Sequence, residues 1–257
     1  MQTLIKNGRV IDPANQVDGS FDVLISDGKI EAVAPHGKIA ASKIKDAEVI
    51  DAKGCVVAPG FCDMHVHFRE PGHEYKETIE TGSASAAAGG FSSVAVMPNT
   101  SPVNDNRSVT ELILSQAKKP GLVNIYPIGA ITKGLKGETL SDMGELKESG
   151  CIGYSDDGKP VMDSELMRRA LEYSRMFDLP CIQHSEILDL TRGGCMNEGV
   201  VSTELGLKGM PVEAEDIMVF RDICLLKKTG GRLHVAHISS GGAVDLVRQA
   251  KAKGLPV

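Results

Sequence analysis

Residues 60–68 read GFCDMHVHF, and residues 77–90, ETIETGSASAAAGG, follow them in a helical pattern. This pairing of a short apolar run with a helix-forming stretch repeats down the chain. FSSVAVMPNT (91–100) precedes SVTELILSQAKK (108–119), LVNIYPIGAIT (122–132) precedes LSDMGELKESG (140–150), and CIGYSDDG (151–158) precedes SELMRRALEYSRMF (164–177). LPCIQHSE (179–186) leads through a long loop to AEDIMVFRDICLLKKTG (214–230), and RLHVAHISS (232–240) leads to GAVDLVRQAKAKG (242–254). Such repetition predicts parallel βαβ units, and strands this uniformly apolar predict a sheet covered on both faces. About six units stand where a (β/α)8 barrel has eight, and LPV at 255–257 looks like the start of a seventh strand. The expectation for residues 59–257 is therefore an α/β fold, an incomplete TIM-type barrel. A doubly wound open sheet also fits the alternation, but it leaves the polar residues unexplained. His65, His67, Asn99, Asp157, His184 and His237 all fall at or near the C-terminal ends of predicted strands, the end where a TIM barrel holds its active site. The loop from Leu188 to Pro211 is long for a compact domain and is expected to cover that site.

Upstream, residues 1–58 follow a different pattern. TLIKNGRVID, FDVLISDGKIEAVAP and AEVIDAKGCVVAPG alternate apolar with polar residues and break at Asn-Gly, Asp-Gly and Lys-Gly, which predicts a small, β-sandwich-like domain of antiparallel strands. The 257 residues are 42% hydrophobic and 24% charged, with a formal net charge of −6. That is the balance of a soluble globular protein. With no Lys/Arg cluster, nucleic acid and acidic membrane are not expected as partners. A small anionic substrate remains compatible, because one local Arg can bind a carboxylate. No stretch reads as a signal peptide or a transmembrane helix. The six cysteines are scattered without a CxxC pair, so they read as reduced thiols of a cytoplasmic protein.

His65 and His67 form His-x-His within a strand. Side chains at i and i+2 share a face about 6–7 Å apart, and two imidazoles so placed converge on one metal at about 2.0–2.1 Å each. The plainer alternative is two histidines on a polar face. That alternative weakens directly after the apolar segment CVVAPGFCDM, where burying them without a partner is costly. Asp63 shares their face and reads as support. His184 and His237 end two further strands, and each alone reads as a rim residue, but beside His-x-His they add to a ligand set. His234 and His237 are three apart and so face opposite ways on a strand. His237 lies nearer the C-terminal end, which leaves His234 pointing toward the helices. Asp156 and Asp157, in YSDDG, fit either a turn or the bridging carboxylate of a two-metal hydrolase, and spacing does not choose between them. Arg69 suits a substrate carboxylate through its planar fork, or else a surface salt bridge. Asn99 offers hydrogen bonds or shapes a turn before Pro102.

Taken together, NGRVIDP, VVAPGFCDMHVHFREPGHEYKETIETGSASAAAGGF, VAVMPNTSPV, YSDDGKPV, QHSE, GVVSTELGLKGMPVEAE and HVAHISS resemble the dihydroorotase family of the amidohydrolase superfamily over essentially the whole chain. The resemblance implies a metal-dependent hydrolase barrel with two divalent ions, taken as Zn2+. His65 and His67 would hold one, His184 and His237 the other, with Asp157 rather than Asp156 between them. It also implies substrate contacts from Arg69, Asn99 and His67, and reversible hydrolysis of dihydroorotate to N-carbamoyl-aspartate in pyrimidine (UMP) synthesis. A homodimer and its association with aspartate carbamoyltransferase are expected. The family's general-base Asp is expected beyond Val257, so no catalytic base is assigned within the chain, and the 257 residues alone are expected to be inactive. Two alternatives accompany this reading: an allantoinase- or hydantoinase-like cyclic amidohydrolase, and a non-catalytic dihydroorotase-like subunit.

Overall fold

A computed structural model describes residues 2–257. The chain divides into two compact units, Met1–Phe61 and Cys62–Val257.

In the first unit, strands β1 (Gln2–Lys6), β2 (Arg9–Asp12), β3 (Val17–Ser26), β4 (Lys29–Pro35), β5 (Glu48–Asp51) and β6 (Val56–Val57) form one sheet in the order β5-β1-β3-β2-β6, with β4 on β3. The β3–β4 hairpin turns on Asp27 and Gly28, both left-handed at φ 49° and 74°, as a two-residue Asp-Gly turn demands. The sheet is mixed rather than wholly antiparallel, since β1/β5 and β2/β6 run parallel. Residues 36–47 return the chain before β5 begins, and hairpin signals report nothing of such distant pairing. Leu4, Val10, Val23 and Leu24 form its buried apolar centre. Asp22 is buried among them (4% exposed) and accepts hydrogen bonds from the Gly37 amide (2.7 Å) and the His36 imidazole (2.8 Å).

The second unit alternates strands and helices. β7 (Phe61–Val66), α1 (Ile79–Ala88), β8 (Phe91–Val96), α2 (Arg107–Ala117), β9 (Asn124–Pro127), α3 (Met143–Ser149), β10 (Tyr154–Ser155) and α4 (Ser164–Arg175) come first. β11 (Pro180–Gln183) opens the long excursion that carries α5 (Leu188–Thr191), β12 (Met196–Asn197), α6 (Val200–Leu205) and β13 (Gly209–Met210). Then come α7 (Glu213–Thr229), β14 (Arg232–Val235) and α8 (Gly241–Ala252). The strands lie in the order β7-β8-β9 and β10-β11-β14, and a parallel bridge between Gly129 and Tyr154 joins the two groups. Asn106, Asp142, Asp163 and Ser240 cap α2, α3, α4 and α8 with side-chain acceptors, which satisfies backbone amides that the helices leave open.

Two cores fix the curvature. Ala95, Met97, Ile128, Ile182 and Ala236, drawn from β8 to β14, cluster on one face of the sheet and curl it around a small interior. On the other face, Val94, Val96 and Ile125 pack with Ile79, Val109 and Ile113 of α1 and α2. Tyr154, Cys181 and Leu233 pack with Leu146, Leu171, Val219 and Leu226 of the later helices. This is the layering of a (β/α)8 barrel, with six of its strand–helix units present among the described residues.

The register corrects one expectation. Leu233 and Val235 pack on the helices, whereas His234 pairs with the interior residue Ile182. His234 therefore faces the barrel interior, not the helices. Burial, with the nearby charges of His65 and His237, holds its imidazole below the ordinary histidine pKa.

Candidate metal centre

Each expected ligand sits where a strand has just ended or is about to end. His65 lies in β7 and His67 immediately beyond it, and Asp63 accepts the His65 amide at 3.0 Å to hold the strand's last turn. Asp157 follows β10, His184 follows β11, and His237 lies two residues past β14. Strict alternation would send His237 away from the interior. It arrives there because its backbone is left-handed, at φ 32°.

The Asp157 carboxylate lies between two pairs of imidazoles. Its Oδ2 is 3.3 Å from His65 Nε2 and 3.2 Å from His67 Nε2, and those two nitrogens are 3.2 Å apart. Its Oδ1 is 3.2 Å from His237 Nε2 and 3.6 Å from His184 Nδ1, which are themselves 3.1 Å apart. Burial works to raise the Asp157 pKa, but hydrogen bonds from His184, His237, His65 and His67 drive it far below the usual carboxylate range. His184 is raised, first by Asp157 and then, against burial, by Glu186.

A divalent ion fits this donor set. Tetrahedral coordination at about 2.0–2.1 Å places neighbouring donors about 3.3 Å apart. The triangle of His65 Nε2, His67 Nε2 and Asp157 Oδ2 matches that edge on all three sides, and the second triangle shares the same carboxylate. Four imidazoles and one carboxylate also suit zinc by ligand type.

Asp156 does not join the cluster. Its carboxylate accepts the Thr132 amide at 2.9 Å and the Thr132 hydroxyl. Burial raises its pKa to about 6, against the pull of those bonds. Asn99 Oδ1 accepts from His67 Nδ1 at 2.9 Å, which fixes the ring with Nε2 turned to Asp157. This orienting contact was not expected from the sequence. Arg69, half-buried and left-handed at φ 60°, has no hydrogen-bond partner for its guanidinium among the described residues. Beside His184 and His237 opens a cavity of about 450 Å³. Thr191, Asn197, Met210 and Pro211 of the long excursion line it, together with Glu215 and Ser239. The excursion thus walls the space beside His184 and His237.

A family profile described as dihydro-orotase-like matches residues 54–242, the span that holds every one of these residues. The chain belongs to this dihydroorotase-like family. Among its curated relatives, the dihydroorotase of Syntrophotalea carbinolica is 56% identical over 257 residues, all of this chain and 59% of the relative. That of Anaeromyxobacter dehalogenans is 57% identical over 253 residues, 98% of this chain and 58% of the relative. The chain thus spans about three fifths of the length of these dihydroorotases. The L-hydantoinase (dihydropyrimidinase) of Arthrobacter aurescens superposes with a TM-score of 0.80 at 22% identity, over 99% of this chain and 57% of that one. A D-hydantoinase superposes at 0.78 and 24% identity, over 100% of this chain and 56% of that one. At these identities the two hydantoinases speak for the fold alone. The described residues include no helix long and apolar enough to cross a membrane.

Proposed function

We propose that this chain carries the metal-binding part of a dihydroorotase, which interconverts dihydroorotate and N-carbamoyl-aspartate. The observation that carries the reading is the pair of donor triangles sharing the Asp157 carboxylate, with His65 and His67 on one oxygen and His184 and His237 on the other. The relatives named dihydroorotase support the choice of substrate.

Two divalent ions, zinc by donor type, would lie one on each triangle, where such ions supply Lewis-acid polarisation of an amide carbonyl and acidify water. The chain's own residues do the rest. Asp157 keeps both histidine pairs at a common centre and balances the positive charge there. Asn99 holds His67 in one tautomer, since Nδ1 donates to it and Nε2 is left for the ion. Arg69 presents an unpartnered, planar fork to the substrate carboxylate, which a lysine would meet only as a point charge. Homodimerisation and association with an aspartate carbamoyltransferase belong to the same proposal and are matters for sedimentation analysis.

The test replaces Asp157 with asparagine, which keeps the shape and removes the shared charge. Metal analysis of the wild-type protein is expected to find two ions per chain, and Asp157→Asn is expected to lose both. Retention of both ions by the variant would remove Asp157 from the centre.

A further inference from the structure

Among the described residues, Glu186 is the one carboxylate near the cluster that touches a candidate ligand from behind. Its Oε2 lies 3.0 Å from His184 Nε2, on the far side of the ring from Asp157, and its Oε1 accepts the hydroxyl of Thr191. The carboxylate is thus divided between a histidine that ends β11 and a buried threonine at the last position of α5. Burial works to raise the Glu186 pKa, but Thr191 and then His184 hold it below the usual range.

Thr191 is itself a pivot of the excursion. Its carbonyl accepts from Gly194, after which the Cys195 amide donates to Lys208 and the Glu198 amide to Met210. β12 pairs with β13 at that point. At the base, the Ile187 amide donates to the Ala214 carbonyl. Residues 187–214 therefore form a closed loop, and the Thr191 hydroxyl links it through Glu186 to His184.

We propose that Glu186 is a positioning residue for His184, and that Thr191 makes the order of the 188–211 excursion and metal occupancy mutually dependent. A carboxylate that accepts Nε2–H fixes both the tautomer and the rotation of the ring, which leaves the Nδ1 lone pair facing Asp157 and His237. Anything that keeps the excursion in place keeps that orientation, and by linkage an ion that selects the orientation favours the ordered excursion by the same factor. The excursion also walls part of the cavity beside the cluster, so metal loading and the shape of that cavity are coupled by the same factor. This rests on the metal-centre reading above.

The experiment titrates Co2+ into the metal-free protein and follows affinity by chelator competition and geometry by the ligand-field spectrum. In parallel, trypsin is directed at Arg192 and Lys208 with and without Co2+. Thr191→Val removes the hydroxyl at nearly constant shape, Thr191→Ser restores it, and Glu186→Gln leaves one acceptor where two bonds must be received. Circular dichroism of the metal-free variants confirms that each is folded, and should Glu186→Gln fail that control, the Thr191 pair carries the test alone. Glu186→Gln and Thr191→Val are expected to weaken Co2+ binding, by about 10- to 100-fold for Glu186→Gln, and to alter the spectrum, while Thr191→Ser restores both. Co2+ is expected to slow cleavage at Arg192 in the wild type and not in Thr191→Val. Wild-type affinity and spectrum in Glu186→Gln and Thr191→Val would overturn the positioning role, and metal-dependent protection that survives in Thr191→Val would overturn the linkage. A wild-type chain that takes up no Co2+ at all would instead sink the metal-centre reading and this inference with it.

Discussion

A methyl group added at Gly82 should disturb the candidate metal centre from outside the barrel. Gly82 lies in α1, and a Cβ built there meets two ring carbons of Phe68 at 2.5 Å and a third at 3.0 Å. Ordinary contact begins near 3.4 Å, so the ring must retreat by about 1 Å, an overpacking of the kind that costs about 1–3 kcal/mol. Phe68 is 7% exposed and wedged against Ile79, Val94 and Val96, so it has little room to retreat. Gly→Ala within a helix returns about 1 kcal/mol of propensity. With two ring atoms pressed at once, the upper part of the overpacking range applies, and Gly82→Ala should be net destabilising by about 1–2 kcal/mol. For a unit of this size that corresponds to a fall in Tm of roughly 2–8 °C. Because Phe68 follows His67 directly, the first donor triangle should shift as well, and Co2+ affinity should drop with the Tm. The double variant Gly82→Ala/Phe68→Leu gives the methyl group space and should recover most of the lost affinity. Scanning calorimetry and Co2+ competition measure both quantities. If Gly82→Ala melts at or above the wild type and binds Co2+ equally, the supposed coupling of α1 to the metal centre through Phe68 is wrong.

Under the proposed function, Arg69→Ala in the assembled enzyme should raise KM for dihydroorotate strongly while metal content stays whole, and Arg69→Lys should rescue poorly. Steady-state kinetics beside metal analysis decide this, and unchanged KM in both would make Arg69 structural. Asp22 has a lowered folded pKa: burial opposes the lowering, and the Gly37 amide followed by His36 brings it about. A depressed carboxylate adds stability above its unfolded pKa of about 3.9, and that stability disappears as pH falls through the lower folded value. Asp22→Asn should therefore destabilise the N-terminal unit by about 1–3 kcal/mol at pH 7 and flatten its stability loss in acid. Urea melts at pH 7 and pH 3 would show an undiminished acid slope if another group were responsible.

The strand–helix alternation and the His65–His67 pair were legible in the sequence from local period and residue type, whereas Asp157, His184 and His237 as their companions rested on the resemblance to the dihydroorotase family. His65 and His67 needed only the two-residue repeat, and only the resemblance set Asp157 apart from Asp156. The His234 assignment failed because alternation was carried past the end of β14. His234 is inside the barrel by register, and His237 rejoins that side through a left-handed backbone that no period encodes. Glu186 stands two residues after His184 in QHSE without having been singled out, and its hold on His184 and Thr191 depends on a loop whose path is set by tertiary contacts. The orienting role of Asn99 depended likewise on how two strands lie side by side. The parallel β1/β5 and β2/β6 pairs join residues more than forty apart, beyond the reach of any turn signal.

Arg69 and His237 both occupy left-handed backbone, a conformation that costs a non-glycine residue about 1–2 kcal/mol and that glycine or asparagine adopts readily. At these two positions the conformational preference of the backbone and the chemical demand on the side chain point to different amino acids. A library randomised at 69 and 237 and sorted for folded yield alone should drift toward glycine and asparagine. The same library sorted for metal retention should hold position 237 at histidine and leave position 69 free to drift. Sorted for turnover in the assembled enzyme, it should hold both.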